Sequence, residues 1–383
     1  MGKLEKIKVL HLVHRYAIGG AEVVIANLCK YSSEGIENIV CSFTEPNESF
    51  IKNNDNGQKV ISLGKSSGND FTIVNKLRTV IEENKIDIVH AQGWATYIEG
   101  LLATKFFAKK KCKFIFAFHG KTINDLQKGI PWRRRVAQKY AGIFSDRIIT
   151  PSRAMASDYA ETFNISKSKI QIIYNGIDIK KFSVKPENSK EKIGIGKDEF
   201  VVGFVGRLDP VKNVSGLIQS FYKFIQKIPR QYLDKTLLLI VGDGEEKEKL
   251  TTLVSKLGIS GNVIFYGQTS EIPLCLAAMD VYVQPSLYEG QSNTIIEAMA
   301  ASLPVISTNV GGTHEIIENE VDGLLFNPND YLGIANAILR FYNNQLFKKQ
   351  ISENANRKSS SMFDVVNMVS GYEKLFHDIL NEK

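Results

Sequence analysis

The chain has 383 residues, a length for two or three domains. With 43% hydrophobic and 23% charged residues it is composed to bury substantial cores, which excludes a disordered, collagen-like or low-complexity protein. The formal charge of +7 is unevenly held: residues 1–178 carry 26 basic and 17 acidic side chains, and residues 179–383 carry 22 and 24.

The excess is sharpest at 105–153, where 13 basic residues face only Asp125 and Asp146. Such a concentration calls for an anionic partner: nucleic acid, an acidic membrane surface or a phosphorylated substrate. Cys29, Cys41, Cys112 and Cys275 are widely spaced without metal-ligand pattern, so reduced thiols are expected. The first apolar run starts at Val9 and is broken at His11, which reads as a buried strand and not a signal peptide. No window approaches 18 apolar residues, so no membrane span is expected. The expected location is cytoplasmic.

In chain order, short apolar runs fall at 8–13, 38–42, 60–63, 87–91, 113–118, 147–150 and 171–174. They are apolar throughout instead of alternating, which predicts parallel strands buried on both faces. Helix-like stretches such as 21–30 and 95–109 separate them. Around 182–197 the pattern lapses into Ser, Pro, Glu and Lys, and a linker is expected near 177–198. A second series follows at 200–205, 236–241, 263–266, 281–284, 304–307 and 323–325, with 213–227 its clearest helix. The predicted fold is α/β: two tandem Rossmann-like doubly wound parallel-sheet domains facing each other across a cleft. The domains are placed at 1–180 and 181–360. An amphipathic helix over 362–380, in a C-terminal segment 361–383, is free by its pattern to pack back across either domain, with the N-terminal domain the one nominated.

Four motifs carry candidate chemistry. Glu289 and Glu297 flank a stretch in which Gly290 suits a close turn and Ser292 or Asn293 a helix N-cap. Two carboxylates can accept from paired sugar hydroxyls, and amides at Ser292, Asn293 and Thr294 suit an anion. A solvated turn before a capped helix has the same pattern. Arg207 and Lys212 follow a predicted strand and match a diphosphate, although loop cations are also commonly solvated. Gly19 and Gly20 follow the first strand and would let backbone approach a phosphate or sugar; a tight turn needs them equally. His119 ends the 113–118 run, where it is either structural or functional. The run Leu63, Gly64, Lys65, Ser66 ends like a phosphate loop but has Lys59 where the first glycine belongs. No His/Cys ligand spacing occurs, so no metal is expected.

Together these motifs resemble glycosyltransferase family 4, retaining enzymes with the two-domain GT-B fold. The resemblance runs in order through Gly19, Gly20, Ala21 and Glu22; His119 and Gly120; Pro151 and Ser152; Tyr174 to Asp178; Gly206 and Arg207; Lys212; Gly242, Asp243 and Gly244; and the Glu289/Glu297 pair. It implies an N-terminal acceptor domain and a C-terminal donor domain. It also implies that Arg207 and Lys212 hold a donor diphosphate, Glu297 the ribose and Glu289 the transferred sugar. Gly290, Ser292, Asn293 and Thr294 would lie along the donor, Gly19 and Gly20 would approach its phosphate, and His119 would meet the sugar or reacting centre. Gln291 and Ser292 depart from the family pattern, which leaves the sugar open.

The expected activity is retaining, metal-independent transfer of a hexose or N-acetylhexosamine from a nucleotide sugar, UDP-linked first, to a glycan or lipid-linked acceptor. No cofactor is expected. A nucleotide-sugar epimerase and a non-catalytic sugar-nucleotide-binding subunit are the alternatives. Nucleic acid is set aside because no binding module accompanies the basic stretch. Trp132, Val136 and Tyr140 share a helical face beside Arg133, Arg134 and Arg135, either as a core-facing stripe or, with Lys105, Lys109, Lys110, Lys111 and Arg15, as an acceptor or anionic-membrane patch at the inner face of the cell membrane.

Overall fold

The computed structural model describes residues 6–65, 70, 72–109, 111–184 and 186–382; Ser66 and Lys110 of the motifs above lie outside them. The chain forms two compact units, Met1–Gly176 with Val365–Lys383, and Ile177–Asp364.

In the first unit β1 (Ile7–Val13), β2 (Ile36–Ser42), β3 (Lys59–Ser62), β4 (Ile88–Gln92), β5 (Lys113–Ala117), β6 (Arg147–Thr150) and β7 (Ile170–Ile172) form a parallel sheet ordered β3-β2-β1-β4-β5-β6-β7. Mostly apolar runs make such strands because alternate side chains serve different cores. Leu10 and Leu12 join a cluster with Phe114 and Phe116, whereas Val9 joins Ile88, Ile115 and Ala117 on the other face. That second face is covered by the helices Gly20–Tyr31 and Val365–Asn381. The latter buries Val365, Met368, Val369, Tyr372, Leu375, Phe376 and Ile379, a three-and-four spacing worth roughly 1.5–3 kcal/mol per large side chain. It starts later than the predicted 362, since Met362 ends the preceding helix Gln345–Met362 and the amide of Ile177 binds the Phe363 carbonyl at 2.9 Å.

The second unit repeats the plan with β8 (Phe200–Val205), β9 (Thr236–Val241), β10 (Val263–Gly267), β11 (Val281–Gln284), β12 (Val305–Thr308) and β13 (Leu324–Phe326), ordered β10-β9-β8-β11-β12-β13 and all parallel. The strand order reverses at β1/β4 in one unit and β8/β11 in the other. In doubly wound sheets ligands bind beyond the carboxyl ends of the strands at such points.

The expected linker at 177–198 is instead folded into the second unit. The short helices Ile179–Ser183 and Ser189–Lys192 lie there, and Ile177, Ile179, Phe182 and Ile195 are buried. These anchors are too sparse to show a period, which is why the stretch reads as irregular. The boundary expected at 180 correspondingly lies inside the first of those helices.

Candidate functional site

The β8/β11 reversal gathers the charged motif residues of the second unit. The loop after β8 carries Arg207 and Lys212, and the loop after β11 carries Glu289. Asp209 caps the short turn Pro210–Lys212 by accepting from the Lys212 amide at 3.1 Å. The two loops are stitched together: the Leu287 amide donates to Val211 at 2.7 Å, and the Asn213 side chain donates to Pro285 at 3.1 Å. The result brings Lys212 Nζ to 2.6 Å from Glu289 Oε1.

Glu289 is buried, and the same oxygen accepts from Gln284 Nε2 at 2.9 Å and Ser286 Oγ at 2.6 Å. A buried carboxylate is tolerable with this many donors. Gln284 is itself fixed by Tyr282, whose hydroxyl donates to its Oε1 at 2.5 Å. Arg207 is different: its side chain is 81% exposed and makes an ion pair with Asp209 at 3.1 Å.

Two glycines set the backbone here. Gly311, at φ +52°, passes so near the Glu289 carbonyl that a Cβ would lie 1.7 Å from its oxygen. Gly242, at φ +133°, would put a Cβ 1.9 Å from the Gly206 carbonyl oxygen. Neither position tolerates a side chain, and each holds a motif loop in place.

Ser292 caps the helix Asn293–Ala300 by position, but its side chain makes no capping bond; its hydroxyl instead lies 3.1 Å from that of Thr294. Glu297 sits within that helix. Burial pushes its carboxyl up to about 7, against the opposing charge of Lys181.

In the first unit Gly19, Gly20 and His119 lie beyond β1 and β5. Gly19 is the cap residue of the helix Gly20–Tyr31, in extended backbone that any residue adopts. A Cβ on Gly20 would meet nothing within 4 Å. The local fold therefore does not demand a glycine at position 20. His119 Nε2 is hydrogen-bonded to the side-chain oxygen of Gln92 at the end of β4. Burial lowers its pKa to about 4, so the ring is neutral at pH 7. Other motif residues are structural: Ser152 caps the helix Arg153–Phe163 and Asp178 caps Ile179–Ser183.

The helix Trp132–Phe144 does not turn the predicted stripe to the core. Trp132 is 70% and Tyr140 59% exposed, with Val136, Ile143, Phe144, Phe106 and Phe107 also exposed; the buried side is Gln138, Ala141 and Gly142. Arg133 and Arg135 are exposed. Arg134 is not part of that surface: it pairs with the buried Asp125 at 2.8 Å and lies over the Trp94 ring at 5.1 Å. Lys105 likewise turns to Asp146 at 2.5 Å. Arg15 is exposed after β1, on a different element.

Comparison with known proteins places both units among glycosyltransferases. A family model described as Glycosyltransferase Family 4 matches residues 18–181, and one described as Glycosyl transferases group 1 matches 185–358. An uncharacterized glycosyltransferase of Methanocaldococcus jannaschii is 31% identical over 296 residues, covering 73% of this chain and 71% of its own. The chain belongs to glycosyltransferase family 4. The glycosyltransferase is also 27% identical to the Escherichia coli UDP-Gal:alpha-D-GlcNAc-diphosphoundecaprenol alpha-1,3-galactosyltransferase, over 99% of this chain and 98% of that one. Its GT-B fold matches Anabaena HepE, solved with UDP and glucose, with a TM-score of 0.84 at 24% identity over 97% and 99% of the two chains.

Sequence reasoning missed Gln284, Ser286 and Gly311, which hold Glu289. The signal available was a glutamine ending an apolar strand. It also missed Gln92, although His90 and Gln92 are polar groups at alternate positions of a run otherwise apolar.

Proposed function

We propose that this glycosyltransferase moves a hexose or N-acetylhexosamine from a nucleotide sugar, UDP-linked in the first instance, to a hydroxyl of a glycan or lipid-linked acceptor. Transfer proceeds with retention and without a metal. The observation that carries this reading is the Lys212–Glu289 pair, built into the β8/β11 reversal with exposed Arg207 on the same loop as Lys212. Arg207 and Lys212 stabilise the charge that develops on the departing diphosphate, each such donor being worth roughly 10²–10³ in rate. Glu289 takes hydroxyls of the transferred sugar on the carboxylate that Gln284, Ser286 and Lys212 orient. Glu297 takes the ribose hydroxyls, and the turn at Gly290, Ser292, Asn293 and Thr294 runs along the donor. Gly20 supports a close backbone approach to the donor phosphate, because the local fold gives no other reason for a glycine. His119, neutral and hydrogen-bonded through Nε2, contacts the sugar or reacting centre.

A lipid-linked acceptor is supported by the name of the E. coli relative and by the exposed aromatic helix Trp132–Phe144 with Arg133 and Arg135, an amphipathic surface of the kind that rests on acidic lipid. Among the described residues no helix is long and apolar enough to cross a membrane.

The test is a panel of nucleotide sugars incubated with the protein, with and without polyprenyl-diphosphate sugar acceptors, in buffer and in chelator. One donor should be consumed with acceptor product of retained anomeric configuration, unaffected by chelator. Turnover of donor into an epimer without acceptor product would replace the reading with the epimerase. Binding without any turnover would replace it with the non-catalytic subunit.

A further inference from the structure

The hydrogen bond on His119 is the last link of a chain that runs from β2 across β1 and β4 to the loop beyond β5. His11 of β1 and His90 of β4 are register partners, so their side chains leave the same sheet face side by side. Gln92 lies two residues beyond His90 on that face. Asn38 lies two residues before Val40, the β2 partner of His11. The contacts run Asn38 Oδ1 to His11 Nε2 at 2.9 Å, His11 Nδ1 to His90 Nδ1 at 3.0 Å, His90 Nε2 to Gln92 Nε2 at 3.1 Å, and Gln92 Oε1 to His119 Nε2. His11, His90 and Gln92 are buried, and the Tyr372 ring packs on His90 at 5.4 Å between centroids.

Each link permits one direction only. Asn38 Nδ2 donates to the Leu28 backbone carbonyl at 3.1 Å, and a carbonyl can only accept, so Asn38 presents its oxygen to His11. His11 must then carry its proton on Nε2 and accept at Nδ1. His90 must donate from Nδ1 and accept at Nε2. Gln92 must donate its amide to His90 and present its oxygen to His119, whose Nε2 therefore bears the proton. Each of the four contacts then pairs one donor with one acceptor, with all three rings neutral. Burial favours that state, lowering His11 and His119 to about 4 and His90 well below its ordinary value.

We propose that Asn38, His11, His90 and Gln92 are positioning residues that lock His119 in its Nε2–H tautomer, leaving Nδ1 as the nitrogen that accepts a hydrogen bond from a substrate hydroxyl. The second half rests on the functional reading above; the lock does not. The Leu28 backbone carbonyl, in the helix Gly20–Tyr31, thereby decides which nitrogen of His119 is basic. A ring free to exchange tautomers would present the wrong nitrogen part of the time.

Nitrogen-15 spectra of the free, histidine-labelled protein test the lock directly, with only six histidines to assign. His119 and His11 should be protonated at Nε2 alone and His90 at Nδ1 alone, so that two touching rings hold opposite tautomers. Gln92→Met, which cuts the last link, should turn His119 into a mixture and lower kcat about tenfold with donor KM little changed. Asn38→Ala, at the half-buried far end, should also mix His119 and lower kcat by less. A mixed or Nδ1-protonated His119 in the unaltered protein, or a His119 left pure in both variants, overturns the lock. A protein with the assigned tautomers that moves no sugar overturns the functional reading and leaves the lock standing.

Discussion

The two units share one winding and place their charge in opposite positions. The first carries the excess of basic residues, yet at the β1/β4 reversal it sets neutral histidines and amides. The second is slightly acidic, yet at the β8/β11 reversal it sets an ion pair and an exposed arginine. The net charge of a unit therefore does not say which groups stand at its strand-order reversal. What the topology provides to both is the same edge; the residues beyond it decide whether that edge presents neutral or charged groups.

Lys212→Met should break the comparison hardest. It leaves Glu289 buried with only neutral donors, so transfer should fall by about 10³ and stability by about 3–5 kcal/mol. Adding Glu289→Gln should recover much of the stability and none of the activity, read by denaturant unfolding and transfer rate together. Arg207→Ala should also lower transfer, by roughly 10²–10³, but its exposure keeps the change in stability within about 0.5 kcal/mol. Near-normal turnover of that variant would remove the diphosphate role from Arg207 and leave Lys212 as the one cation of this loop that could hold it.

Glu297 sharpens the comparison, being the site carboxyl that burial holds up to about 7. Between its ordinary 4.5 and about 7 the folded chain keeps a proton that the unfolded chain has released, so stability falls as pH rises across that window and is level above it. Glu297→Gln should remove that slope and be more stable than the parent at pH 8, by an amount on the order of 3 kcal/mol. If the ionised carboxylate binds ribose, donor KM should fall as pH rises through 7, and the variant should lose that dependence. A parent KM flat from pH 6 to 8 would take the ribose contact away from Glu297.

The sheets were legible because parallel strands buried on both faces leave long apolar runs, and β8, β9 and β11 begin and end where those runs do. Arg207, Lys212, Glu289 and His119 were legible as strand-end residues, since type and position suffice to nominate them. Their supports were not. Tyr282, Gln284 and Ser286 alternate along one stretch and so share a face, but no local pattern records that Glu289 folds back onto that face. The histidine chain is hidden for the same reason: Asn38, His11 and His90 lie far apart in sequence and meet only because β2, β1 and β4 are neighbours. The aromatic stripe of Trp132–Phe144 misleads in the other direction, because helical periodicity reveals a face without saying what the face meets.

That helix supplies the smallest expected effect and tests whether the basic excess of the first unit is a surface at all. Arg133 and Arg135 stand exposed beside Trp132, whereas Arg134 is spent on Asp125 and Trp94. Removing Arg133 or Arg135 should weaken sedimentation with acidic-lipid vesicles by about 1 kcal/mol each, roughly fivefold, and the loss should shrink as salt rises. Arg134→Ala should leave vesicle binding unchanged and lower stability by about 1–3 kcal/mol, because it strips a buried carboxylate of its cation. Equal losses of vesicle binding in all three variants would mean that neighbouring charges act as an undivided cloud. Unequal losses would mean that three consecutive arginines do two different jobs, one of them inside the fold.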